Sequence, residues 1–272
     1  MRLAWMLLAA AGIGAGCASV LAIPNDTPSF CGQPANQGHA YCEDFDVGDP
    51  ASRWTFAEGT NGATYVVAPS DRSPPNLLDM SAPMVPDGGT ALAGFTKEFD
   101  DSTFVGLHIE ADIRFVTQGG APITANGGFL LIVDKNGGGC IGLGVASGPH
   151  LPQPMIGAYL FAQGGGCSAL TSGGGGGTAM GGLMNQVGSA PAANTWSHIV
   201  VIVTPDPSRN DGSGKLTFNI EGQPGAFMPV PLLAGTLVGS GIPLVGFASE
   251  VNGPSGPLEV QFDNITIDLS GS

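Results

Sequence analysis

Nine short stretches rich in β-branched and aromatic residues, each bounded by Gly, Pro, Asn or Asp, point this chain toward an all-β fold. They are Ala91–Phe99, Gly106–Val116, Gly128–Asp134, Gly139–Val145, Met155–Ala162, Thr195–Thr204, Lys215–Glu221, Leu244–Glu250 and Leu258–Leu269. None carries a 3.6-residue apolar period. The 45 Gly and 22 Pro among 272 residues weaken helices and supply turns. A length of this order accommodates one large β-sandwich.

The alternation within each stretch says which faces are covered. Leu107, Ile109, Ala111, Ile113 and Phe115 share one face of their strand, and His108, Glu110, Asp112 and Arg114 share the other. Leu216, Phe218 and Ile220 alternate with Lys215, Thr217 and Asn219 in the same way. The run Ile199–Val203 is apolar at both parities, which predicts a central strand covered on both sides, with Trp196 in the core. Asn136-Gly137 between two stretches predicts a tight hairpin and antiparallel neighbours.

The two ends carry matching acidic and aromatic segments, Tyr41–Asp46 and Gln261–Asp268, and are expected to lie side by side in one sheet. Within the closing segment Val260 and Phe262 fall on one parity, whereas Ile265 and Ile267 fall on the other. A single extra residue at Asp263-Asn264, a β-bulge, buries both sets and re-aims Asp263 as a ligand candidate.

With 22 acidic and 8 basic residues the formal charge is -14, which argues against nucleic-acid binding through phosphates and suits calcium, cationic partners or neutral glycans. Residues 1–22 have the form of an export signal. The apolar run from Leu3 to Ile13 is too short for a permanent span. Two processing readings compete: lipidation at Cys17, whose preceding Gly14-Ala15-Gly16 is similar to a bacterial lipobox, or cleavage after Ala22 to give a soluble protein. Membrane contact then occurs only through a lipid anchor. Residues 23–40 read as a tether and N-terminal segment, and 41–272 as the folded domain. Lipidation of Cys17 leaves Cys31, Cys42, Cys140 and Cys167 for an oxidising compartment. Of the three possible pairings, short loop closure favours Cys31 with Cys42 and Cys140 with Cys167.

The strand order resembles the concanavalin A-like jelly rolls, which include LamG-type modules, legume-type lectins and laminarinase-type glycoside hydrolases. The resemblance runs from Cys42-Glu43-Asp44-Phe45-Asp46, through Thr195-Trp196-Ser197-His198-Ile199-Val200, to Phe262-Asp263-Asn264-Ile265-Thr266-Ile267-Asp268. It covers Tyr41 to Leu269. It implies two packed antiparallel sheets of six or seven strands, with ligands on a concave face or at the rim loops. It implies the fold more strongly than the function.

Three sets of residues carry candidate chemistry. Glu43, Asp44 and Asp263 offer hard oxygens to a structural calcium, which many members of the superfamily hold on their terminal strands. Exposed acids capping turns is the plainer alternative. Glu110 and Asp112 stand about 7 Å apart on one face, a spacing within reach of glycosidase carboxylates. The laminarinase pattern Glu-x-Asp-x-x-Glu breaks here, because Phe115 holds the last position. Arg114 and His108 on the same face favour ionised carboxylates. Trp54 and Tyr159 are the candidate platforms for a sugar ring, with His108 and Arg114 as polar ligand contacts. The His residues show no metalloprotease spacing, and no Gly-x-Ser-x-Gly elbow is present.

The leading expectation is an exported or surface-anchored, non-catalytic module binding carbohydrate or another extracellular ligand. A glycan-cleaving enzyme using Glu110 and Asp112 and a structural envelope lipoprotein are the alternatives.

Overall fold

The structure is a computed structural model that describes residues 28–86, 89–99, 106–134, 139–161, 183–221, 229–237, 243–252 and 255–269. Its first strands are β1 (Tyr41–Glu43), β2 (Phe56–Thr60), β3 (Thr64–Pro69), β4 (Asn76–Ala82), β5 (Thr90–Glu98) and β6 (Leu107–Val116). Then come β7 (Gly127–Asp134), β8 (Cys140–Ala146), β9 (Met155–Phe161), β10 (Leu183–Ser189) and β11 (Ser197–Pro205). The series closes with β12 (Gly214–Ile220), β13 (Val230–Leu232), β14 (Pro243–Asn252) and β15 (Leu258–Leu269).

These strands form two antiparallel sheets. The eight-stranded sheet runs β13-β12-β11-β6-β15-β4-β3, with β1 also paired to β15, and the seven-stranded sheet runs β10-β9-β8-β7-β14-β5-β2. The chain ends do meet: Tyr41 stands opposite Ile267, and Glu43 opposite Ile265. β7 and β8 pair antiparallel, as expected, while the turn at Asn136-Gly137 lies outside the described residues.

β15 explains the parity break. On one side it follows β6 along its whole length, with a register shift between Asp263 and Thr266. On the other it pairs with β4 through Leu258–Phe262 and then with β1 through Ile265–Ile267. The bulge therefore sits where one neighbour replaces the other. Asn264 takes a positive φ of 50° there, a conformation Asn tolerates better than most residues. Val260, Phe262, Ile265 and Ile267 are all buried as a result.

The core lies between the sheets. Leu107, Ile109, Ile113, Phe115, Ile199, Val201, Val203 and Phe218 face Phe95, Leu130, Ile141, Leu143, Ile156 and Phe247. Edge-to-face contacts join Phe115 to Phe129 at 5.5 Å and Phe247 to Phe262 at 5.3 Å between ring centroids. Each fully buried Phe contributes about 2–3 kcal/mol through lost apolar exposure.

Several strands differ from the sequence expectation. β2, β3 and β4 occupy the edge region that the sequence reading left unassigned, because Gly, Pro and Asp interrupt their alternation. β11 is central, yet Ile199, Val201 and Val203 are buried while Ile202 is exposed and Val200 half-buried. Its outer face is wet, so its apolar character at both parities reflects β-propensity rather than two-sided cover. The N-terminal segment is held by a disulfide between Cys31 and Cys42 and by Cys31 N donating to Asp44 Oδ2 at 2.9 Å. Cys140 is also disulfide-bonded. Cys17, Cys167, the glycine runs at 164–166 and 173–177, and residues 1–22 lie outside the described residues. Among the described residues no helix is long and apolar enough to cross a membrane.

Candidate functional site

The outer face of the eight-stranded sheet carries the paired carboxylates. Strand parity turns His108, Glu110, Asp112 and Arg114 away from the core, and register sets His198 of β11 opposite Asp112. Asp112 is 3% exposed and receives Arg72 through Nε at 3.0 Å and a second nitrogen at 3.2 Å. Asn264 Nδ2 donates to it at 2.8 Å, and His198 Nδ1 lies 3.0 Å away. His198 Nε2 is 3.2 Å from Glu110, which His108 also approaches at 3.2 Å.

Burial pushes the Asp112 carboxyl up, but hydrogen bonds from His198, Arg72 and Asn264 outweigh it and hold the group below the ordinary carboxylate range. The hydrogen bond to Asp112 and the nearby carboxylates raise His198 against the effect of burial. The set is thus a chain of alternating charges whose members satisfy one another. Asp112 has no proton to give and no lone pair left for a substrate, so the geometry does not place Glu110 and Asp112 as general acid and nucleophile.

Asp263 is fully buried at the bulge. It accepts from Ser70 Oγ at 2.6 Å and from Ser73 N at 3.2 Å. Burial pushes its carboxyl up to about 7 despite these bonds. Glu43 is clamped by the fork of Arg53, at 2.8 and 2.6 Å, and accepts from Phe45 N. Asp44 accepts from the amides of Cys31 and Asp46. These three acids therefore do not form a calcium shell: a guanidinium already neutralises Glu43, and backbone amides or hydroxyls occupy the other two. Among the described residues no cluster of three or more His, Cys, Asp or Glu is placed to hold a metal.

The aromatic expectations are reversed. Trp54 is 4% exposed and packs edge-on against Phe95 and Phe247, both at 5.9 Å, so its ring offers no platform. Tyr159 is buried too, and its ring lies over Gly144, where even a Cβ would approach within 3.0 Å. Trp196 is not in the core. It precedes β11 with the same parity as His198, stacks on Arg114 at 4.5 Å and donates Nε1 to Asp71 at 2.9 Å. Arg114 is further held through Nε by Gln261 and through a terminal nitrogen by Asp71, so most of its guanidinium is engaged within the protein.

A different place is open. Two loops at one end of the seven-stranded sheet, residues 121–126 before β7 and 147–154 between β8 and β9, flank an open cleft of about 440 Å³. Its walls are Pro122, Pro149, Pro152 and Pro154 with Ile123 and Leu151, and its polar groups come from Thr124, Asn126, Ser147 and Gln153. Hydrogen bonds between side chains and backbone join the two loops and tie one of them to Ser255. Asn126 Oδ1 accepts from Ser147 N at 2.8 Å, Ser147 Oγ donates to Ala125 O, and Asn126 N donates to Ser255 Oγ at 2.7 Å. Leu151 N closes a turn onto Gly148 O, with Pro149 pre-setting its φ. Among the described residues Asn126 Nδ2 and Thr124 Oγ1 have no protein partner. Among the described residues its lining is uncharged and supplied with free polar atoms, a character that suits a small-ligand site. Sequence reasoning missed it because its residues are neutral, carry no motif and meet only in the fold.

No family model and no curated protein matches the sequence. Solved structures do match. Endo-β-1,4-glucuronan lyase from the fungus Trichoderma reesei shares 10% identity at a TM-score of 0.52, over 85% of this chain and 96% of that one. The marine PL-14 alginate lyase from Aplysia kurodai shares 12% at 0.51, over 85% and 99%. The fold is a jelly-roll sandwich. The carbohydrate recognition domain of Emp46p in its potassium-bound form has the same fold, at 12% identity and a TM-score of 0.50, over 84% and 95%. At these identities the likeness of the jelly roll to its neighbours shows the fold alone.

Proposed function

We propose that this chain is an exported, non-catalytic jelly-roll module that binds carbohydrate in the cleft between residues 121–126 and 147–154. The observation that carries this reading is the composition of the cleft. Proline, leucine and isoleucine surfaces suit the C–H faces of a pyranose, and the Thr124, Asn126, Ser147 and Gln153 side chains suit its hydroxyl rim. Proline walls are pre-organised, so little conformational entropy is lost on binding. The neighbours support the same direction, since one is named for carbohydrate recognition and two for lysis of polysaccharides. Export follows from the signal-like residues 1–22, with Cys17 as the lipid attachment point, and agrees with the disulfide at Cys31 and Cys42.

Gly148 provides the test. It lines the cleft, its φ suits any residue, and no heavy atom lies within 4 Å of where a side chain would begin. Gly148→Trp therefore adds a large ring at the lining of the cleft without straining the fold. On a glycan array the full chain binds a discrete glycan set and Gly148→Trp binds none of it, at unchanged melting temperature. Equal binding by both proteins, or a silent array for the parent, overturns the proposal.

A further inference from the structure

We infer that the cleft accepts uncharged glycans and rejects uronate chains, a statement of ligand class that rests on the carbohydrate reading above. The eleven described residues that line the cleft include no ionisable side chain, and His150 of the same loop is not among them. A uronate carboxylate is held in proteins by a charge-assisted pair, most effectively by the planar fork of arginine. Each arginine among the described residues is already committed to a carboxylate of the protein itself. Arg53 pairs with Glu43 at 2.6 Å, Arg72 with Asp112 at 3.0 Å and Arg114 with Asp71 at 2.8 Å, and Arg209 pairs with Asp211. Lys97 Nζ donates to Arg53 O at 2.8 Å and sits over the Tyr41 ring. None of these cations lines the cleft.

The field of the whole molecule acts in the same sense. A formal charge of -14 repels a polyanion before contact, most strongly at low ionic strength. An uncharged chain meets no such barrier. Its hydroxyls find a donor in Asn126 Nδ2, a donor-acceptor group in Thr124, an acceptor in Ser147 Oγ, whose proton goes to Ala125 O, and both an acceptor in Gln153 Oε1 and the second N–H of Gln153 Nε2, whose first bonds Ser189 Oγ. Neutral hydroxyl recognition of this kind is almost independent of salt, whereas any binding of a uronate chain here strengthens as salt screens the repulsion.

The experiment titrates the full chain by calorimetry with two groups of probes: cellohexaose, laminarihexaose, mannohexaose and xylohexaose as neutral chains, and hexamers of mannuronate and glucuronate as acidic ones. At least one neutral hexamer is expected to bind, with its affinity changing by less than about twofold between low and high salt, and Gly148→Trp abolishes that binding. The acidic hexamers bind at least about tenfold more weakly. An acidic hexamer that binds more tightly than every neutral one, with Gly148→Trp blocking it, overturns the ligand class and leaves the carbohydrate reading standing. If no hexamer of either group binds, both fall.

Discussion

His198 Nδ1 lies 3.0 Å from Asp112 Oδ1, and the opposite edge of the same ring reaches Glu110 at 3.2 Å, so one imidazole joins two carboxylates across β6 and β11. That bridge determines how the outer face of the eight-stranded sheet behaves. It turns what looks like catalytic chemistry into a stabilising network, and it titrates.

The folded state raises the pKa of His198 above its ordinary 6.5, so its contribution is complete below that value and is lost as pH climbs through the higher folded value. Replacing it, as in His198→Gln, is expected to cost about 1–2 kcal/mol in mildly acidic solution. The deficit shrinks as pH rises well past neutrality. Thermal melts of both proteins across that range check this, and a deficit independent of pH contradicts it.

Asp263 has the same sign of pH dependence but a different cause, burial of its carboxyl. Its pKa rises from 3.8 to about 7 on folding, so the folded state retains a proton that the unfolded chain has already released. Stability from this residue falls as pH increases across that interval. Asp263→Asn, which cannot ionise, should gain on the parent between pH 4 and pH 8 by up to a few kcal/mol. Parallel stability curves for the two proteins would rule out a buried, proton-holding Asp263.

The disulfide between Cys31 and Cys42 closes a loop with a sequence separation of 11, and its removal in Cys31→Ser/Cys42→Ser is expected to cost about 2–3 kcal/mol. Loss concentrates in the N-terminal segment, because His39 and Ala40 still bond Asp268 at 2.7 and 3.0 Å. Hydrogen exchange should show faster opening at residues 28–40 with the rest of β15 protected. Uniform loosening of both sheets would contradict this placement.

Trp196 and Trp54 exchange the roles that sequence gave them. Acrylamide should quench Trp196 and spare Trp54, and Trp196→Phe should leave glycan binding unchanged. Trp54→Ala, by contrast, empties part of the core and costs about 3–5 kcal/mol. Loss of glycan binding in Trp196→Phe would move the ligand to the outer face of the eight-stranded sheet.

How far the sequence spoke depended on periodicity. The bulge was visible because Phe262 and Ile265 could not both be buried without it, and the alternation of Leu107 through Phe115 announced a one-sided strand. Edge strands such as β3 were silent, since Val66 and Val67 are both exposed and no buried face imposes a pattern. Glu110 and Asp112 were found, but their partners were not: Arg72 and Asn264 arrive from a loop and a bulge remote in sequence. Trp54 and Trp196 were assigned to the wrong sides because a single large ring fixes no parity on its own. The cleft had no signal of this kind, since Pro149 and Thr124 mean little until the sheet places their loops together.

The location of the ligand is tested most directly by nuclear magnetic resonance of the nitrogen-15-labelled chain, titrated with the neutral hexamers. The amides of Ile123, Thr124, Asn126, Ser147, Gly148 and Leu151 are expected to shift together and saturate with a single affinity, while those of Glu110, Asp112 and His198 stay in place. Shifts centred on β6 and β11, or no shifts at all, would contradict a carbohydrate site in the proline-walled cleft.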